Sequence, residues 1–204
     1  DVCSSDLLVV TTAKDGNVYL LGTTLPGFGG ELWTSHSSGG LFSDESKTAP
    51  AYFHDSGSGN DFVYVTGSGT PGLVGFRVDA TNQKLVPAWN AGLEFGDGPG
   101  APFVIQDPAS NRALVWVVDG HVENDDKINR DPVLRAWDAV SGDLVFHSDA
   151  VPGNAIGTTC PNFAPVVGAG KSIFIGTLDG FVAYANVPPT LTRSEERRVG
   201  EECR

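Results

Sequence analysis

The stretch Leu134–Ser148, LRAWDAVSGDLVFHS, decides how the rest of the chain is read. Two short apolar runs flank a polar turn that carries one glycine, the pattern of a hairpin. Asp138 is placed to accept hydrogen bonds from the amides that follow it, an Asx-type turn. Gly142 supplies a positive φ where a side chain would clash. Ala136 leaves room for a neighbouring sheet, and Phe146 offers a flat aromatic on the returning run. The fold turns on whether this hairpin is private or one copy of a repeat.

It recurs. Ala-Pro stands at Ala49-Pro50, Ala101-Pro102 and Ala164-Pro165, with proline spacings of 52 and 63. Each pair precedes an apolar run: Ala51-Tyr52-Phe53, Phe103-Val104-Ile105 and Val166-Val167. A polar loop and a β-rich run follow, at Phe62–Val65, Leu114–Val117 and Ile173–Ile175. A further run follows in each unit, at Leu73–Phe76, Val133–Ala136 and Phe181–Tyr184, and a second hairpin then leads to a fourth strand. A truncated copy opens the chain, where Val9–Leu20 aligns with Ile173–Tyr184. Both copies carry Asp-Gly between strand runs, at Asp15-Gly16 and Asp179-Gly180, a strong hairpin signal. Four antiparallel strands at this period make a propeller blade. The predicted fold is all-β, a partial β-propeller of about four four-stranded antiparallel blades at 8–48, 49–100, 101–163 and 164–187. Residues 188–192 are read as a linker.

Ala136 to Phe146 resembles the A-x-D-x-x-[ST]-G-x-x-x-W motif of PQQ-like (quinoprotein alcohol dehydrogenase-like) propeller blades. Ala136, Asp138, Ser141 and Gly142 match it, and Phe146 stands in for the tryptophan that docks between blades in that family. The other copies are looser. Asp79 keeps the turn in Val78–Leu85 but lacks the glycine, and its aromatic, Trp89, comes later. The first unit keeps Gly29 and Trp33 at the motif's four-residue step. A WD40-type interaction propeller, suggested by Trp137-Asp138, fits less well, because here the pair sits immediately before the turn.

The two ends read differently. DVCSSDL (1–7) resembles the in-frame translation of a short-read sequencing adapter, and RSEERRVGEECR (193–204) that of its partner, with Glu201 the one departure. Both are set aside from the fold as scars. Of the three cysteines only Cys160 then remains, and one thiol fits either redox compartment. Discounting the ends removes six of 25 acids and four of 13 bases and leaves a net charge of −10. A surface that acidic repels phosphate backbones, which disfavours nucleic acid. No apolar run is long enough to span a membrane. The chain has no Met and reads as an internal piece of a longer protein, so its own missing blades are the expected partner.

Enzymes of the resembled family oxidise alcohols or sugars by hydride transfer to PQQ. They use calcium, a catalytic Asp, a Trp platform and, in several members, a vicinal Cys pair. This chain contains no Cys-Cys, and no carboxylate matches the metal-ligand motif. No catalytic residue is assigned, and neither PQQ nor calcium is placed within the segment, though both stay open for the whole protein. Other members are scaffolds or binding platforms. A non-catalytic binding or scaffold module, periplasmic or extracellular as the resemblance implies, is therefore expected. The alternative is part of a PQQ-dependent alcohol or sugar dehydrogenase whose catalytic residues lie elsewhere.

The remaining chemical candidates are weak. The acidic loop His121–Asp126 with Asp131 lacks the EF-hand spacing and reads as a solvated interblade loop. His36, His54, His121 and His147 are scattered. Gly57-Ser58-Gly59 and Gly67-Ser68-Gly69 are turns rather than a nucleophile elbow. Trp33, Trp89, Trp116 and Trp137 are expected in interblade packing. An incomplete ring exposes sheet edges and blade faces, so the chain alone is expected to associate.

Overall fold

The computed structural model describes residues 8–23, 30–35, 40–107, 109–119, 132–150, 153–158, 160–169 and 172–185. Both adapter-like ends, the 188–192 linker, Gly29, and the loop from His121 to Asp126 with Asp131 lie outside them. The described residues form fourteen strands in four antiparallel sheets. The first holds β1 (Leu8–Thr12), β2 (Val18–Gly22) and β3 (Gly30–Thr34). The second runs β4 (Ala51–Asp55), β5 (Asn60–Thr66), β6 (Leu73–Asp79) and β7 (Lys84–Asn90). The third runs β8 (Phe103–Gln106), β9 (Ala113–Val118), β10 (Leu134–Asp138) and β11 (Leu144–His147). The fourth holds β12 (Val166–Ala169), β13 (Ser172–Thr177) and β14 (Gly180–Ala185).

The sheets stack in chain order as blades. Inner strand β4 abuts β8, β8 abuts β12, and outer strand β3 abuts β7. Three separate apolar cores fill the three gaps. Val18, Leu20 and Phe42 meet Val63, Val65, Val74 and Phe76 between the first and second sheets. Phe53, Phe62, Tyr64 and Leu73 meet Val115, Val117 and Trp137 between the second and third. Trp116, Val118, Leu134 and Ala136 meet Val166, Ile173 and Ile175 between the third and fourth. The middle strands are covered on both faces, which is why β5 and β9 read as continuous apolar runs rather than alternating ones.

Each sheet has two unlike faces. On the face away from the preceding sheet, the second, third and fourth sheets set a large aromatic opposite a small residue: Tyr64 opposite Gly75, Trp116 opposite Ala136 and Phe174 opposite Ala183. The first sheet instead sets Val10 opposite Leu20. Toward the preceding sheet, a β-branched residue lies opposite a large one. The pairs are Val9 with Leu21, Val63 with Phe76, Val115 with Trp137 and Ile173 with Tyr184. A face with one bulky ridge beside a recess interdigitates with a face of medium and large residues, as packed sheets require.

Two sheets have three strands among the described residues, not the expected four. The first sheet starts with the strand equivalent to β5 and so lacks an inner strand. The fourth ends with the equivalent of β6 and lacks an outer one. Hairpin order explains both: the described residues enter one unit after its first strand and leave another before its last.

Candidate functional site

The most densely bonded feature of the motif is the turn at Asp138. Its Oδ1 accepts from the amides of Val140 and Ser141, each at 3.0 Å. Its carbonyl accepts from the Gly142 amide at 2.9 Å, and its own amide donates to the Asp143 carbonyl at 2.9 Å. Ser141 Oγ donates to Asp143 Oδ2 at 2.7 Å, and Arg112 donates to Asp138 Oδ2 at 3.3 Å. Gly142 has φ +76°. Burial pulls the Asp138 carboxyl upward, but the Ser141 and Val140 amides together with Arg112 outweigh it and hold it below its usual value. A carboxyl lowered by folding stabilises the chain above its unfolded value of 3.8, and that contribution is lost as pH falls through the folded value. Asp138→Asn should therefore flatten the acid side of a stability–pH profile measured by urea unfolding between about pH 7 and about pH 3.

This turn receives the preceding sheet. A Cβ added to Gly142 would lie 2.5 Å from Trp89 Cγ, and one added to Gly75 would lie 2.6 Å from Trp89 Cε2. The indole of β7 is thus held between a glycine of its own sheet and a glycine of the next. Trp89 Nε1 donates to the Ala139 carbonyl at 3.0 Å, and Tyr64 Oη donates to the same oxygen at 2.8 Å. Two aromatic side chains of the second sheet are thereby fastened to the first residue after Asp138. The pair itself packs at 5.7 Å between ring centroids.

The pairing register shows why Trp89 sits later in sequence than the motif asks. Trp33 pairs with Leu20, Trp89 with Gly75 and Phe146 with Ala136, and each ladder has a bulge beside that pair. The bulge re-aims the outer strand at one point in each of these three sheets. In the second sheet the hairpin extends further beyond this pair before turning at Asp79, and the ladder restores the alignment. Phe146 lies between sheets, with ring centroids 5.6 Å from Trp116 and 6.1 Å from Tyr184 of the fourth sheet. Trp33 packs edge-on against Phe76 of the second sheet. Trp137 is 1% exposed and faces the second sheet beside Phe95.

The remaining motif residues have separate places. Asp79 accepts from the Asn82 amide at 3.0 Å, and Gln83, at the position of Gly142, also has a positive φ, 49°. Asp15 accepts from the Asn17 amide at 3.0 Å, while Gly16 lies against the 40–44 segment, where a Cβ would meet the Asp44 carbonyl at 2.5 Å. Asp179 accepts from Thr158 Oγ1 at 2.6 Å rather than from turn amides, and Gly180 pairs with Thr177. The two Asp-Gly hairpins therefore differ. The first is a wide loop packed on the chain, and the second is a tight two-residue turn.

A repeated feature escaped the sequence reading. Asp55 accepts from the Gly57 amide at 3.0 Å and from Ser58 Oγ, and Asp107 accepts from the Ala109 amide at 3.0 Å and Ser110 Oγ at 2.7 Å. Asn111 Nδ2 then reaches across to Asp55 Oδ1 at 2.9 Å, linking the inner hairpins of the second and third sheets. Asp-x-x-Ser recurs at the same 52-residue interval as Ala-Pro, and that recurrence was the available signal.

Cys160 is buried between the third and fourth sheets. Burial, with a smaller push from the Asp119 charge, raises its thiol to about 11. Iodoacetamide at about pH 8, followed by peptide mapping, should leave Cys160 unmodified in the folded chain and label it in denaturant. Among the described residues no three His, Cys, Asp or Glu side chains converge as a metal cluster would require.

Stacked antiparallel sheets, inner strands side by side and an aromatic locking each sheet to the next together define a partial β-propeller. Solved structures of that architecture match the chain. BamB from Moraxella catarrhalis aligns over 95% of this chain and 47% of its own at 17% identity and a TM-score of 0.52. The C-terminal domain of Pseudomonas aeruginosa PilY1 aligns over 88% of this chain and 39% of its own, at 15% identity and a TM-score of 0.55. The chain thus spans about half the length of the one and two fifths of the other. No protein-family model matches the chain, and no curated protein does.

Proposed function

We propose that the chain is part of a PQQ-like propeller that serves as a non-catalytic binding or scaffold module in a periplasmic or extracellular setting. One observation carries the reading: the motif's polar side chains are spent on closing a turn and its aromatic ones on joining sheets. The Asp138 carboxylate takes two turn amides and Arg112, and Trp89 is closed between two glycines and bound to the Ala139 carbonyl. In the whole protein, further sheets of the same chain cover the two end faces. The test is a calorimetric titration of the chain with PQQ in the presence of calcium. No saturable heat is expected. Saturable binding that vanishes on calcium chelation would transfer the reading to a dehydrogenase.

A further inference from the structure

We propose that the two end faces of the stack are a complementary docking pair, so that in the isolated 204-residue chain the exposed face of the fourth sheet takes the exposed face of the first sheet of a second copy. The inference rests on the partial-propeller reading, and the second copy stands where the whole protein's further sheets would.

The rear face, on the fourth sheet, is apolar and open. Val167 is 50% and Phe181 53% exposed, and both share a face with Phe174 and Ala183. The Phe174 and Phe181 rings lie 6.1 Å apart. By ladder position, Phe174 opposite Ala183 is the counterpart of Tyr64 opposite Gly75 and of Trp116 opposite Ala136. Both of those pairs are buried under the sheet that follows them.

The front face, on the first sheet, carries the opposite pattern. Val9, 42% exposed, lies opposite Leu21, the counterpart of Val63–Phe76, Val115–Trp137 and Ile173–Tyr184. Each of those three pairs is packed against the preceding sheet. Two of the three internal gaps, second to third and third to fourth, therefore join a face of the rear kind to one of the front kind, and among the described residues the two ends of the stack leave one of each uncovered.

Length selects the occupant. The chain spans 47% of the BamB chain, so two copies joined head to tail supply about the sheet complement of one such propeller. A head-to-tail interface uses different patches on the two copies, and it closes into a ring when the rotation allows.

That asymmetry gives the test. Val167→Glu places a charge on the rear face, and Val9→Glu places one on the front face. Both positions are half exposed, so each variant should keep the parent's strand content by circular dichroism. Light scattering after size exclusion is expected to show the parent at two chains or more. With both faces of a closed pair lost or weakened, each variant alone should shift toward the one-chain mass of 21.4 kDa. An equimolar mixture, in which one intact rear face meets one intact front face, should recover a two-chain species. The proposal is overturned if the parent runs as one chain, if both variants associate as the parent does, or if the mixture stays at one-chain mass. Because the readout is mass, its failure is separable from that of the binding-module reading, which the PQQ titration addresses.

Discussion

Trp89→Ala should lower the unfolding free energy by about 3 kcal/mol, the range for deleting a large aromatic from a packed site. The indole is partly exposed, which argues for the lower end of that range, but it does three things at once. It fills the gap over Gly75, it fills the gap over Gly142, and it donates to the Ala139 carbonyl. The carbonyl keeps its bond from Tyr64 after the substitution, so most of the loss is packing. Trp89→Phe separates the terms. Phe146 shows that a phenyl ring serves at this ladder position in the next sheet, so the variant should retain most of the packing and lose the single hydrogen bond, about 1 kcal/mol. Chemical denaturation monitored by far-ultraviolet circular dichroism reads both. A loss below about 1 kcal/mol for Trp89→Ala would mean that the indole rests on the sheets without holding them together.

Gly142→Val should be as damaging, for two independent reasons. The backbone φ of +76° is one that a β-branched residue resists. The new Cβ would also fall 2.5 Å from Trp89 Cγ, far inside contact distance. Together a loss of about 3 kcal/mol is expected, summing the left-handed penalty and an overpacking cost. The double variant with Trp89→Ala tests the geometry, because deleting the indole removes the clash but not the backbone strain. The two losses should add to clearly more than the double variant shows. At the equivalent place in the second sheet the sign reverses: Gln83 already sits at φ 49°, so Gln83→Gly should stabilise by up to about 1 kcal/mol.

The parts of the fold legible in the sequence are local ones. Asp138, Ser141 and Gly142 form a turn whose bonds run within a few residues, so the residue types predict the conformation and the structure places it there. The strand runs at Phe62–Val65 and Leu114–Val117 are equally readable, because burial on both faces writes an uninterrupted apolar segment. Asp55-x-x-Ser58 and Asp107-x-x-Ser110 belong with them. They follow the same local rule and recur at a visible interval.

Ladder-dependent features were not legible. Trp89 looked displaced when counted from Asp79, and only the pairing with β6 returns it opposite Gly75. Trp137 was expected in interblade packing, but only the tertiary structure shows that it faces the second sheet, which buries it almost fully. The Asp-Gly pairs looked equivalent, but contact with the 40–44 segment makes one a packed loop and leaves the other a plain turn.

The sequence by itself determined the repeat, the strand order within each unit and the turn chemistry at Asp138, since each depends on residues near in the chain. The tertiary structure alone decided which face of each sheet meets which neighbour and where each bulge aims its aromatic. The reason is the two-residue period of a strand. The order of residues says which side chains share a face, but only the neighbouring sheet makes that face an interior.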